Sequence, residues 1–290
     1  MRKILVTGAT GGLGKAVVET LLKTVSPGTL AALARHPAKA ADLQAQGVAI
    51  VPGDYTNYAS LVAAFVGVDK LYFVATNSMT DRIAQHENVV KAAVAAEVGH
   101  VFYTSMQRKT EDGSSPVAFI EEAHLATEQL LKQSGLTYTI LKHALYLDVF
   151  PDFFGPVLET GTIYLPAENG RGAYASRHDM AVAGAALLTG TGHENKTYEL
   201  ASSIAYSLAD MAQALSRLAG KPVQYVSPTP AEFTAQLAQA GVPAAGTQMA
   251  AALMAAIAQG ELDFPDPMLA RLLGRQPESP TEFLKAAYKL

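Results

Sequence analysis

Gly8-Ala9-Thr10-Gly11-Gly12-Leu13-Gly14 directly follows the aliphatic run Ile4-Leu5-Val6 and sets glycines at the first, fourth and seventh positions of a turn. That spacing suits phosphate binding. The first glycine permits a tight strand-to-helix reversal, the middle of the loop lets backbone N–H groups approach a diphosphate, and the last lets helix and strand pack closely. The bound negative charge then meets the positive end of the helix that the turn opens. Gly8, Thr10, Gly11, Gly12, Leu13 and Gly14 are therefore the expected diphosphate contacts. The same turn also occurs in α/β domains that bind nothing, so it points to a nucleotide only in a strand–turn–helix setting.

Leu33-Ala34-Arg35-His36 ends the second aliphatic run, where a site specific for NAD usually carries an acid that accepts from the ribose hydroxyls. Here Arg35 stands. A guanidinium matches a 2′-phosphate with two parallel hydrogen bonds and leaves a plain ribose without its acceptor, which favours NADP(H) as cofactor. A solvated arginine at a strand end is the alternative. Asp54, in Gly53-Asp54-Tyr55, either bonds the adenine amino group or caps the helix beginning near Asn57. Ala75-Thr76-Asn77 and Thr104-Ser105 end the fourth and fifth runs, at the carboxyl edge where open α/β sheets take ligands. Small polar residues there suit passage of the cofactor toward its nicotinamide, and they are equally ordinary loop formers.

These residues need a scaffold, and the first half of the chain supplies one. Short aliphatic runs at 3–6, 30–34, 48–51, 70–74, 100–103 and 137–141 alternate with segments of helical spacing at 13–24, 37–46, 58–65, 81–96 and 117–134. That alternation predicts a Rossmann-type, doubly wound parallel sheet with helices on both faces. Runs such as Ile4-Leu5-Val6 and Leu71-Tyr72-Phe73-Val74 read as strands buried on both sides. Past Lys142 the alternation fails, and Pro151, Pro156, Gly161, Pro166, Gly170 and Gly172 punctuate a loop-rich passage. The expected organisation is a dinucleotide-binding domain over 1–150, rejoined by about 177–203, and a smaller mixed α/β C-terminal domain from 151–176 and 204–290. In the latter, helices are expected near 208–218, 231–240 and 248–259, with a strand over 223–226.

Composition narrows the class. In 290 residues there are 22 Lys+Arg against 26 Asp+Glu, a net of −4 with no basic stripe, so no nucleic-acid partner is expected. Zero Cys removes thiolate nucleophiles and Cys-based metal sites. The histidines show no H-E-x-x-H pattern or dense ligand cluster, so no metal is expected, and no Gly-x-Ser-x-Gly elbow offers hydrolase chemistry. The longest apolar stretch, 249–258, is too short for a membrane span, and the opening residues form no signal-peptide core. A cytoplasmic protein is the expectation, with monomer or homodimer left open.

Further motifs carry a family likeness. Val6-Thr7-Gly8-Ala9-Thr10-Gly11-Gly12-Leu13-Gly14, Ala34-Arg35-His36-Pro37-Ala38-Lys39-Ala40, Gln85-His86-Glu87-Asn88-Val89-Val90, Phe102-Tyr103-Thr104-Ser105, His124-Leu125-Ala126-Thr127-Glu128 and Gly192-His193-Glu194-Asn195-Lys196-Thr197-Tyr198 resemble the atypical short-chain dehydrogenases of the NmrA-like group, among them bacterial quinone and triphenylmethane reductases. The resemblance implies NADPH as hydride donor, a small flat aromatic electron acceptor, and a cofactor lined by the glycine turn, Arg35, Asp54, Ala75, Thr76, Asn77, Thr104, Lys142 and His143. Two positions depart from it. Many relatives place a lysine where His124 stands, and Arg-Asn where Lys142-His143 stands.

The acid–base machinery is thin. Tyr138 and Lys142 match the Tyr-x-x-x-Lys spacing of ordinary short-chain dehydrogenases, but in a strand those four steps span about 13 Å and the pair fails. Quinones and cationic dyes accept hydride without prior protonation, so positioning supplies the rate. His124 is the candidate for protonating a reduced oxygen, with a helix-surface histidine as the alternative. Tyr146 is the candidate for stacking on the acceptor or donating to it, or else lines a domain junction. The expected activity is an NADPH-dependent reductase of quinone-like or other conjugated aromatic acceptors. The alternative is a redox sensor that binds NADP(H) without turnover and acts through a protein partner.

Overall fold

Short, mostly apolar runs become the strands of one sheet, the outer ones carrying polar residues such as Lys142 and Glu199. Ile4–Val6 (β1), Leu30–Ala34 (β2), Ala49–Pro52 (β3), Lys70–Phe73 (β4), His100–Met106 (β5), Tyr138–His143 (β6) and a last strand, Lys196–Leu200, lie in the order β3-β2-β1-β4-β5-β6 and Lys196–Leu200, all parallel. β1 and β2 are buried throughout. The computed structural model describes residues 3–78 and 80–290.

The chain builds outward from β1 in one direction through β2 and β3, then returns to lay β4 on the other side of β1. This reversal opens a crevice at the carboxyl ends of β1 and β4, the place where a doubly wound sheet binds its ligand. Helices Gly12–Leu21 (α1), Ala41–Ala45 (α2), Tyr58–Phe65 (α3), Arg82–Ala95 (α4) and Ala118–Gln133 (α5) connect the strands. Leu61, Phe65, Val89 and Leu131 pack on Leu5, Leu71, Phe73 and Tyr103 to form one core, while α1 packs on the Arg177–Thr189 helix. Transfer of such side chains from water drives the assembly at about 25 cal/mol per Å² of apolar surface. The fold is Rossmann-type α/β.

The chain divides into two compact units. The first holds Met1–Met106, Glu122–His143 and Arg177–Leu200; the second holds Gln107–Glu121, Ala144–Ser176 and Ala201–Leu290. Gln107–Glu121 lies inside the span expected for the dinucleotide-binding domain but belongs to the second unit, where Gln107 donates to the carbonyl of Phe264 at 3.0 Å and Thr110 to Glu261 at 3.0 Å. In the second unit, Thr162–Tyr164 pairs with Gln224–Val226 in parallel, and Arg171–Gly172 pairs with Tyr206–Ser207 antiparallel. Helices Leu208–Ala219, Pro230–Gln239 and Pro280–Tyr288 each open with a capping box, from Ser207 and Asp210, Thr229 and Glu232, and Ser279 and Glu282.

Several elements differ from the sequence expectation. β5 runs to Met106 and β6 to His143, which places Thr104, Ser105, Lys142 and His143 inside strands. The helix expected over 37–46 is a 3₁₀ turn, Pro37–Ala40, followed by the short α2. Among the described residues no helix is long and apolar enough to cross a membrane, and no cluster of His, Asp and Glu could hold a metal ion.

Candidate active site

The glycine turn closes backbone on backbone. Gly8 takes φ of +59°, in the left-handed region, and its carbonyl accepts the N–H of Gly11 at 2.9 Å. A Cβ on Gly14 would lie 2.3 Å from that same carbonyl oxygen, so no side chain fits there. Gly11 caps α1 without a side-chain hydrogen bond, and no acid occupies the first turn of α1. Such a helix end accepts an anionic ligand from outside. A Cβ on Gly12 would meet the Arg177 side chain at 3.2 Å, so the arginine that opens the Arg177–Thr189 helix lies against the turn. Arg177 lies far from Gly14 along the chain, with nothing local in the sequence to tie it to the turn.

The other expected cofactor residues lie along the same carboxyl edge. Arg35 follows the last residue of β2 with its side chain exposed. Asp54 accepts from the backbone N–H and the hydroxyl of Thr56, at 2.9 and 3.0 Å, whereas Asn57 caps α3 by accepting from Ser60 N–H at 3.0 Å. Capping of α3 thus falls to Asn57 and not to Asp54. Tyr55 bolts two strand ends together. Its hydroxyl meets Thr7 Oγ1 and donates to the carbonyl of Val74 at 2.8 Å, while Thr7 Oγ1 accepts the N–H of Val74 at 2.9 Å.

Ala75 and Thr76 are held from below by buried side chains. Thr104 Oγ1 accepts the N–H of Ala75 at 2.9 Å, and His86 Nε2 accepts the N–H of Thr76 at 3.1 Å. Because Nε2 accepts, the ring proton of His86 sits on Nδ1, which donates to Thr127 Oγ1 at 2.8 Å; Thr127 donates onward to the carbonyl of Ala123 at 2.6 Å. Burial and the nearby Arg82 cation push the imidazole of His86 down to about 3, so it stays neutral.

His124, the candidate proton donor, is buried and engaged at both nitrogens. Its Nε2 lies 2.9 Å from Arg82 Nη2 and its Nδ1 lies 2.8 Å from Tyr103 Oη. A guanidinium only donates, so Nε2 accepts and the ring proton faces Tyr103. Ser105 donates to Glu128 beneath the same edge.

The Tyr138–Lys142 spacing falls on β6, as a strand, with Tyr138 opposite Val101 and Lys142 opposite Ser105. Lys142 lies 3.4 Å from Glu199 as an ion pair, and His143 is buried, with its imidazole pushed down to about 3 by burial. Tyr146 belongs to the second unit, where it bridges to Ala175 and is half-buried. Asn77 and Thr10 lie on the two loops of the carboxyl edge.

The sequence model of the NmrA-like family matches residues 1–263. Quinone oxidoreductase 2 of Escherichia coli (strain K12) is 37% identical over 271 residues, covering 93% of each chain. An NAD(P)H azoreductase of Xenophilus azovorans is 32% identical over 242 residues, covering 83% of this chain and 82% of the relative. The crystal structure of the Citrobacter sp. triphenylmethane reductase complexed with NADP(H) superposes with a TM-score of 0.92 at 38% identity, over 98% of this chain and 100% of that one.

Proposed function

The chain belongs to the NmrA-like family and is an NAD(P)H-dependent oxidoreductase, and from that premise we propose that it passes hydride from NADPH directly to a quinone-like or other conjugated aromatic acceptor. The observation that carries this reading is the glycine turn, a cradle that a Cβ at position 14 would fill, with the exposed Arg35 guanidinium on the same sheet edge.

The residues present fit the cofactor. Gly8 to Gly14 would hold the diphosphate at the start of α1, Arg35 the 2′-phosphate, and Asp54 the adenine side. Ala75 and Thr76, fixed by Thr104 and His86, would border the nicotinamide together with Asn77, Lys142 and His143. Bound NADPH supplies hydride. What the chain supplies is position: a rigid carboxyl edge that holds donor and acceptor in near-attack contact and so removes most of the entropic barrier. Tyr146 is the candidate for stacking on a flat acceptor. With its proton turned toward Tyr103 and Nε2 taken by Arg82, His124 acts as a positioning residue, and the proton that completes reduction comes from solvent.

The test mixes purified protein and NADPH with panels of quinones, azo dyes and triphenylmethane dyes and follows the nicotinamide absorbance. Acceptor-dependent oxidation is expected. Tight NADPH binding with no turnover of any acceptor would overturn the proposal in favour of a sensor.

A further inference from the structure

Arg82 is a cation in an unusual place. It is the first residue of α4, the helix end whose dipole disfavours positive charge. Its Nη2 donates to the neutral ring of His124 at 2.9 Å, its buried Nε has no hydrogen-bond partner among the described residues, and no carboxylate pairs with it among them. The neighbouring acid, Asp81, is exposed and its side chain makes no capping hydrogen bond. Burial pushes the guanidinium pKa down, with Tyr103 the offsetting influence. An arginine nonetheless stays protonated in proteins, and a partly desolvated charge without a counter-ion is costly.

The surroundings hold this charge in place through one contact, Nη2 to His124. His124 is held by Tyr103 at 2.8 Å, and both sit in a buried ring cluster with His86, whose centroid is 6.3 Å from that of His124. His86 in turn anchors Thr76, on the segment assigned above to the nicotinamide. Arg82 is thus joined through His124, Tyr103 and His86 to that segment.

We propose that Arg82 is a catalytic residue that stabilises the acceptor oxygen as it becomes anionic, with His124 and Tyr103 as the positioning residues that hold it. The proposal deepens the reductase reading and rests on it. Hydride delivery to a quinone breaks one C–H bond of the dihydronicotinamide, forms one bond to the quinone and leaves an electron pair on a quinone oxygen. The quinone is reduced to the hydroquinone monoanion, which takes one proton from solvent, and the nicotinamide is oxidised. A fixed donor aimed at that oxygen lowers the barrier. A cationic triphenylmethane dye gains no negative charge on accepting hydride and is repelled by a guanidinium. The site is therefore built for acceptors that end as anions, ahead of acceptors that start as cations.

The experiment compares the full-length protein with Arg82→Gln and Arg82→Lys. Three quantities are read: kcat/KM for 1,4-naphthoquinone and for a cationic triphenylmethane dye, calorimetric Kd for NADPH, and calorimetric Kd for anionic 2-hydroxy-1,4-naphthoquinone on the NADP⁺-saturated protein. Arg82→Gln keeps a donor for His124 and is expected to lower quinone kcat/KM about 100-fold. It should raise dye turnover, because the repulsion of the cation is removed, keep NADPH affinity, and weaken the anionic probe about tenfold. Arg82→Lys should restore most of the quinone rate. Equal losses for quinone and dye, or a loss of NADPH affinity, would overturn the assignment. Should Arg82→Gln not fold, wild-type protein must bind the anionic probe more tightly than neutral naphthoquinone; equal affinity would overturn it. A wild-type protein that binds the anionic probe in an Arg82-dependent way yet turns over no acceptor would sink the reductase reading and leave the anion site standing.

Discussion

The Nε2 of His86 accepts the backbone N–H of Thr76 at 3.1 Å, so a buried histidine on α4 holds up a loop at the mouth of the sheet. Replacing the ring by leucine leaves that N–H without its acceptor, at a cost of about 1–3 kcal/mol. His86→Leu should lower the urea midpoint and raise KM for NADPH, and His86→Gln, which restores an acceptor, should recover part of both. A leucine variant as stable as wild type would contradict the assigned role.

Acid should destabilise the protein well above the pH at which its carboxylates titrate. Burial holds His86 and His143 down to about 3 and His100 down to about 4, against 6.5 for the free ring. Below pH 6.5 the unfolded chain binds protons that the native state refuses, so stability is full above that value and falls as pH drops toward the native pKa values. Each neutral ring adds a slope of about 1.4 kcal/mol per pH unit. Urea midpoints should be flat above pH 7, fall from pH 6.5 to 4, and fall less steeply in His86→Gln. A flat profile across that window would be the contrary result.

Gly14→Ala should damage binding more than folding. The added methyl would sit 2.3 Å from the Gly8 carbonyl, and relieving a backbone clash of that kind costs about 1–3 kcal/mol. Where the turn opens to accommodate it, NADPH affinity should fall about 10- to 100-fold. Calorimetric titration checks this, with the melting temperature as control.

Tyr138→Phe should leave turnover within about twofold of wild type, because a conservative change away from the site alters free energies by about 0.5 kcal/mol or less. Tyr138 packs against the core from β6, and Lys142 beyond it is paired with Glu199. A large loss of kcat would revive the Tyr-x-x-x-Lys pair.

What was legible in the sequence follows from range. Ile4-Leu5-Val6 and the glycine turn are local, and a strand buried on both faces leaves an unbroken aliphatic run that needs no partner to be seen. In the second unit the strand Gln224–Val226 was legible, but the short helices left no such mark, since helices of four to six residues, such as Val157–Thr160 and Met268–Leu273, show no full period. Ser279-Pro280-Thr281-Glu282 was readable in principle, being a capping box with proline at the first helical position. The surroundings of His124 were not. They come from Arg82, 42 positions earlier, and Tyr103, 21 positions earlier, brought together only by the packing of α4 and α5 on β5. The one local hint was an arginine opening a helix.

Calorimetric titration of NADPH and NADH into wild type and Arg35→Ala tests the cofactor assignment most directly. Loss of a charge-assisted pair with the 2′-phosphate removes about 1.5–3 kcal/mol. Wild type should therefore bind NADPH about 10- to 100-fold more tightly than NADH, and Arg35→Ala should erase that preference while leaving NADH affinity unchanged. Equal affinity of the wild-type protein for both dinucleotides, or a preference that survives in Arg35→Ala, would contradict it.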